Sequence, residues 1–405
     1  MADPARPLAL AAGLRALPAG IWALGFGSML MDISSELIHS LLPLFMVGVL
    51  GTSLVTVGIV EGVAEATAAF AKVFSGTLSD YLGRRKRLMV FGYALAAFSK
   101  PLFPLAASVD WVFAARFADR VGKGIRGAPR DALVADLVAP ALRGAAYGLR
   151  QALDSLGAVI GPLLALLFMF WFANDITAVM WVAVIPAFLT LVLLLRYVQE
   201  PVRAGSREGG RPSLRLGDMR RLGRAYWWVV GIGAAFTLAR FSEAFLILRA
   251  EDVGVPLGLV PLALVVMNLF YALCAYPAGQ AADRLDARRL LLLSLLPLIL
   301  ADLLLAVADS PWLAFAGAAL WGLHMACSQG LLAKLVADSA PLALRGTAFG
   351  FFNLLSGLAL LAASVIAGAL WQRFGAAVTF LGGAAFAALA ALGLLAWRGL
   401  HGEED

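Results

Sequence analysis

Apolar residues fill this chain in runs of about twenty positions, and polar residues gather in the short breaks between them. A run of that length is what a helix needs to cross the hydrocarbon layer of a bilayer. Twelve such helices are predicted, at 18–46, 53–78, 87–107, 111–138, 144–171, 176–197, 226–250, 257–281, 288–308, 311–338, 346–371 and 375–397. The longest polar break, 199–225, is rich in Arg, Gly and Pro, and it parts the spans into two sets of six. The expected domains are therefore 1–198 and 226–405, each a six-helix bundle, joined by the linker 199–225. The fold class is all-α and polytopic.

Composition supports that class. Of 405 residues 61% are hydrophobic and 14% charged, against roughly 25% charged in soluble domains. There is too little polar surface to clothe a body of this size in water. The first apolar segment is too long for a signal sequence and carries Asp32 and Glu36. The net charge of +6 lies in loops rather than in a nucleic-acid-binding patch. Arg84, Arg85, Lys86, Arg87, Arg143, Arg284, Arg288, Arg289, Arg345 and the linker arginines share one set of connections. By the positive-inside rule those connections, the linker and both termini are cytoplasmic. Trp111, Trp171, Trp312 and Trp371 would mark the outer ends of spans; Trp22, Trp227, Trp228 and Trp397 would mark the inner ends. Cys274 and Cys327 lie in apolar segments without metal-ligand spacing and read as packing residues.

The two sets of six repeat. "LVADLVAPALRGAAYG" (133–148) aligns without a gap on "LVADSAPLALRGTAFG" (335–350), and "SGTLSDYLGRRKRLMV" (75–90) on "AGQAADRLDARRLLLL" (278–293). Ser35-Glu36 of span one corresponds to Ser242-Glu243 of span seven. Parallel repeats predict two bundles with pseudo-twofold symmetry about the membrane normal.

With these motifs the chain resembles the major facilitator superfamily (MFS) of secondary transporters. "GTLSDYLGRRKR" resembles its loop 2–3 signature, with Gly76, Asp80, Gly83, Arg84, Arg85 and Lys86 in place and a weaker copy at Gly279, Asp283, Arg284, Arg288 and Arg289. Gly148, Gly157 and Gly161-Pro162 in span five resemble the antiporter motif of proton-coupled drug exporters, although Ala165-Leu166 stands where that motif ends in Gly-Gly. "GKGIRGAPRDALVAD" resembles a bacterial and archaeal branch of the superfamily. The resemblance implies transport by alternating access, a prokaryotic cytoplasmic membrane, a monomer, and no cofactor beyond an ion gradient. It also implies a conformational latch at the cytoplasmic ends, made of the loop-signature residues with Arg130, Asp136, Arg143, Asp283, Asp338 and Arg345.

Span four adds charges that a lipid-facing helix could not carry. Asp119, Lys123, Arg126 and Arg130 recur at i, i+4, i+7 and i+11, on one helical face. Gly122-x-Gly124-x-x-Gly127 also spells a dinucleotide fingerprint, but no strand precedes it and Pro129 follows at once, so that reading fails. With a rise of about 1.5 Å per residue, Lys123 lies roughly 18 Å below the outer end of the span. An ionised group facing lipid at mid-bilayer costs at least about 2.5–3.5 kcal/mol on insertion scales. Such groups must therefore face protein or water.

Asp32, Glu36, Glu65 and Asp154 are the candidate proton carriers. His39, Arg116, Asp119, Arg120, Lys123, Arg126, Arg150, Arg240, Glu243 and His324 are candidate cavity or substrate groups. Glu61 is placed near the outer mouth. No catalytic or metal motif is present, since GKGIRG lacks the Ser/Thr that a phosphate loop requires. The expected partners are lipid, protons and a small molecule, with sodium as a second possible coupling ion. The span-five motif and the carboxylates fit efflux of an amphipathic drug or metabolite by antiport. The basic face of span four fits uptake or exchange of an organic anion. A non-transporting sensor or scaffold is the third reading.

Overall fold

The structure is a computed structural model that describes residues 16–82, 84–139, 142–200, 222–284, 286–341 and 344–396. All regular structure among them is helical. Spans two to five are Leu54–Leu82, Arg85–Ser99, Val109–Leu137 and Arg143–Trp171. Spans eight to twelve are Leu262–Arg284, Ala287–Val307, Pro311–Ser339, Arg345–Phe374 and Ala376–Ala396. Nine helices among the described residues are long and apolar enough to cross a membrane.

Spans one, six and seven are interrupted. Span one is helical over Ala19–His39 and continues as Leu42–Leu44 and a π-helical turn, Phe45–Val49. Pro43 has no N–H to return to the carbonyl of His39, so the helix ends there. Span six divides at Ala183 into Ile176–Val182 and Val184–Tyr197. The Ala183 carbonyl accepts the Ser34 hydroxyl at 2.7 Å. Span seven, expected as one helix over 226–250, is Arg224–Ala239 followed by Ala244–Asp252. Its break is satisfied by hydroxyls: the N–H of Ser242 donates to Ser364 Oγ (3.2 Å), and that of Ala244 to Ser242 Oγ (3.2 Å).

Apolar stripes on the outer helices face away from the protein. Ile185, Leu189 and Val192 of span six are exposed, as are Leu293, Leu296 and Leu300 of span nine. In water these stripes would be a liability; in a bilayer they meet acyl chains at no cost. Trp111, Trp171 and Trp312 are exposed at span ends, where amphipathic rings suit the headgroup level.

Contacts divide the chain into two compact units. The first comprises Met1–His39 and Phe70–Pro212; the second comprises Ser40–Ala69 and Ser213–Asp405. Residues 40–69, expected with the first six spans, thus group with the second unit. Small residues explain that grouping. A Cβ on Gly62 would come within 2.8 Å of Leu361 Cα in span eleven, and one on Gly368 within 2.9 Å of Val55 Cα. Only glycine lets these backbones approach so closely.

Inside the first unit, span five lies on span one and span three on span four in the same manner. A Cβ on Gly157 would meet Met29 O at 2.7 Å, and one on Gly161 would meet Ile33 O at 2.9 Å. Gly122, from the rejected dinucleotide pattern, would meet Gly92 O at 2.6 Å. Buried Tyr93, Ala96, Ala97, Leu133, Val134 and Leu194 fill the core around them. In the second unit Tyr226, Val229, Val336 and Ala348 form a core patch, and the Tyr226 hydroxyl donates to Ala348 O at 2.8 Å.

Candidate functional site

The intramembrane charges of the first unit form two connected groups on spans one, three, four and five. The deeper group centres on Asp119, 1% exposed. Lys100, at the end of span three, donates to Asp119 Oδ1 at 2.8 Å and to Ser35 Oγ at 2.9 Å. Arg120 Nε stands 3.4 Å from Asp119 Oδ2. Arg116 pairs with His39 Nδ1 at 2.9 Å. A guanidinium can only donate, so His39 accepts at Nδ1 and is the neutral ring with its proton on Nε2. Lys100, Arg116, Asp119 and Arg120 are each at most 2% exposed. They are expected to line a cavity, except Lys100, which was not foreseen. In this structure they form a buried, hydrogen-bonded and ion-paired network.

The second group is wetter. Asp32 is half-buried, with Arg126 Nη2 3.6 Å from Oδ1. The Arg126 guanidinium lies 4.7 Å above the Tyr93 ring. That stacking compensates a cation that is otherwise buried. Lys123, Arg130 and Asp154 also lie within electrostatic reach of Asp32. Arg150 bridges Asp154 (2.7 Å) and Asp131 (3.7 Å), and Arg130 bridges Asp131 (3.3 Å) and Asp154 (3.8 Å). Arg130 also donates to Ser28 Oγ, which ties this group to span one. Lys72 of span two lies within reach of Asp131. Lys123 is exposed. Glu36 is half-buried, its Cβ in the contact with Gly161.

The remaining candidates fall in the second unit. Arg240 sits at the break of span seven, with Glu243, Glu65 and Tyr271 within electrostatic reach. His324 is 1% exposed; its Nδ1 donates to Ser294 O at 2.7 Å and its ring stacks on Phe236. It is held as a packing residue. Glu61, expected near the outer mouth, is 1% exposed. Cys274 and Cys327 are both free thiols.

At the expected cytoplasmic end of the first unit, Arg85 donates to Asp136 Oδ2 (2.7 Å) and Ala132 O (2.9 Å). Glu200 accepts from the Lys86 N–H at 3.0 Å, capping the N-terminus of span three from the far side of span six. That N–H is one of the groups a helix start leaves unsatisfied. Arg84, Arg143 and Asp338 are exposed, and Gly76 lies within span two. Gly83 and the side chains of Asp80, Asp283 and Arg345 lie outside the described residues.

Sequence reasoning missed Lys100, Tyr93 and Tyr271. Lys100 could have been found: it is a lysine inside an apolar run, "AAFSKPLF". Tyr93 and Tyr271 carried no such signal, since an aromatic residue in a span is ordinary.

Helices long and apolar enough to cross a membrane, with ion pairs buried between them, define a multi-pass membrane protein. The family model of the Major Facilitator Superfamily matches residues 24–248 and 230–404, and the chain belongs to that superfamily. It is a transporter and not an enzyme. It is 33% identical to the uncharacterized MFS-type transporter MJ1317 of Methanocaldococcus jannaschii, over 94% of this chain and 95% of that one. It is 27% identical to multidrug resistance protein MdtH of Edwardsiella ictaluri, over 89% and 88% of the two chains. Among solved structures, the nucleoside transporter NupG aligns with a TM-score of 0.76 at 14% identity, over 93% of this chain and 99% of that one. A POT family transporter in complex with a thioalcohol-conjugated peptide aligns at 0.78 and 14%, over 95% and 98%. At such identities these structures speak for the fold alone.

Proposed function

We propose that the protein is a proton-coupled antiporter of the prokaryotic cytoplasmic membrane, exporting a small amphipathic drug or metabolite by alternating access. The observation that carries this reading is the position of Asp32: a half-buried carboxylate 3.6 Å from Arg126, beside Arg130 and Asp154. Proton affinity of a carboxylate depends on how close a cation lies and on how much water reaches it. A shift of span one against span four would change that separation and so convert a conformational step into proton binding or release. Asp154 shares Arg130 and Arg150 with Asp131 and lies within electrostatic reach of Asp32, so a change of charge at one carboxylate is felt by the other. The relationship to MdtH supports export of drug-like molecules. Protons are favoured over sodium as the coupling ion because Asp32 and Asp154, the carboxylates of this cluster, are groups that can bind and release a proton.

Arg85 and Asp136, with the loop signature, would latch one end of the protein during the cycle. In this reading the termini and the basic loops are cytoplasmic and the protein works as a monomer.

The test is flux in proteoliposomes holding a pH-sensing dye, challenged with pools of lipophilic cations. Cation-dependent proton movement is expected. Asp32→Asn and Asp154→Asn should each lower it at least about tenfold while the protein still inserts. Undiminished flux in both variants removes these residues from the mechanism. A second reading, exchange of an organic anion, draws on exposed Lys123, on the same face as Asp119, Arg126 and Arg130. Under that reading anionic pools move protons, and Lys123→Ala abolishes the response.

A further inference from the structure

Span nine has two apolar stripes. Leu293, Leu296 and Leu300 face outward, while Leu291, Leu295, Leu298 and Leu305 are buried. Asp302 stands on the buried stripe at 0% exposure. Neither of its carboxyl oxygens has a hydrogen-bond partner. Its surroundings are apolar by construction. A Cβ on Gly383 of span twelve would come within 2.6 Å of Asp302 Oδ2 and 3.1 Å of the Phe241 ring. Glycine therefore makes room for this carboxyl group. Phe241, in the break of span seven, packs on Trp321 and Phe380 with ring centroids 5.4 Å apart in both cases. Trp321 is also fully buried, and its indole N–H has no partner.

The charged and titratable neighbours are otherwise engaged. From span seven, Arg249 donates to Leu305 O (2.9 Å) and Ala308 O (2.7 Å) and pairs with Asp252. Arg240 and Glu243 flank Phe241, and Arg240 lies within reach of both Glu243 and Glu65. From span ten, His324 donates to Ser294 O. Span twelve carries no charged or titratable side chain. None of these groups bonds to Asp302.

An isolated ionised carboxylate in such a place costs many kcal/mol, and a group so placed neutralises instead. We propose that Asp302 is a second proton-binding site, in the second unit, occupied by a proton in this conformation and emptied only when the Phe241–Trp321–Phe380 cluster parts and admits water. Asp302 belongs to the second unit and Asp32 to the first, and nothing in the argument for Asp302 draws on the coupling reading above.

The experiment is infrared spectroscopy of the purified full-length protein in lipid nanodiscs. At neutral pH the wild type should show a protonated-carboxyl stretch. Asp302→Asn should lack that band, and Asp302→Glu should displace it. Phe241→Ala, which wets the site, should cause the band to vanish at about tenfold higher proton concentration than in the wild type. Asparagine matches the shape of the neutral acid, so Asp302→Asn should keep its thermal stability. Superimposable neutral-pH spectra of wild type and Asp302→Asn would overturn the proposal. If the asparagine variant does not assemble, an unmoved band in Asp302→Glu overturns it equally. Asp32→Asn is expected to leave the band in place, so the two proton sites fail or stand separately.

Discussion

Lys100 and Asp119 illustrate what a single buried pair contributes. Both are about 1% exposed and 2.8 Å apart, and Asp119 takes further cations from Arg120 and, at longer range, Arg116. The pair as a whole gains little over a well-packed apolar pair, because both ions give up their hydration. Removing one partner is different, since it leaves the other charge buried. Lys100→Met should therefore destabilise the purified protein by about 3–5 kcal/mol, visible as a lowered midpoint in a thermal-shift assay. Adding Asp119→Asn to that variant should recover part of the loss, because the carboxylate that has lost its nearest cation is gone, although Arg120 then loses its neighbour at 3.4 Å. A double variant no better than Lys100→Met would show that Asp119 is held by Arg120 and Arg116 alone. Ser35 takes part through its hydroxyl, which gives the Ser-Glu repeat of spans one and seven a structural role on this side.

At the level of helices, the span-five motif separates into residues with different work. Gly157 and Gly161 touch the backbone of span one, whereas a Cβ on Gly148 would meet nothing within 4 Å. Gly148→Ala is expected to be neutral, or stabilising by up to about 1 kcal/mol through helix propensity. Gly161→Val forces spans one and five apart and should cost about 1–3 kcal/mol or more, measured as loss of folded protein in size-exclusion and thermal-shift assays. Equal behaviour of the two variants would deny the packing role. The all-helical, many-span character and the charges within the spans were legible because length, hydropathy and charge position are local properties. Which helix a face meets was not legible. The assignment of residues 40–69 to the second unit depends on Gly58, Gly62 and Gly368 meeting a particular partner, and helical periodicity carries no partner identity. The break at Arg240–Glu243 was hidden for a related reason. Its N–H groups are satisfied by Ser364, far along the chain, so no local breaker signals it. Asp119 and Arg116 were legible as buried charges but not as paired ones, since Lys100 arrives from another helix.

For the molecule as a whole, orientation is decided by charges that never enter the bilayer. The connections at Arg84–Arg87, Arg143 and Arg288–Arg289 are basic; those near Ser108, Asn174 and Asp309 carry no lysine or arginine. Moving a cation across during insertion is costly, so under the proposed topology the basic set is expected on the side of synthesis. The exposed tryptophans at positions 111, 171 and 312 lie at the opposite ends of their spans, consistent with a headgroup boundary there. The prediction uses a background in which Cys274 and Cys327 are replaced by Ala. Ser108→Cys, Asn174→Cys and Asp309→Cys should react with a membrane-impermeant thiol reagent added to intact cells. Arg87→Cys and Arg288→Cys should react only after permeabilisation. Ser108, Asn174 and Asp309 all close connections between consecutive helices, so one reversed pair in the set would mean a span fails to cross. Span four is the one at risk, because Asp119, Arg120, Lys123, Arg126 and Arg130 make it the least apolar of the twelve. It can insert only with its charges already covered by spans one, three and five. Labelling of Ser108→Cys from outside, together with inaccessibility of Arg143→Cys until permeabilisation, is the outcome that coverage requires. Labelling of both from the same side would leave span four outside the membrane and remove the buried network with it.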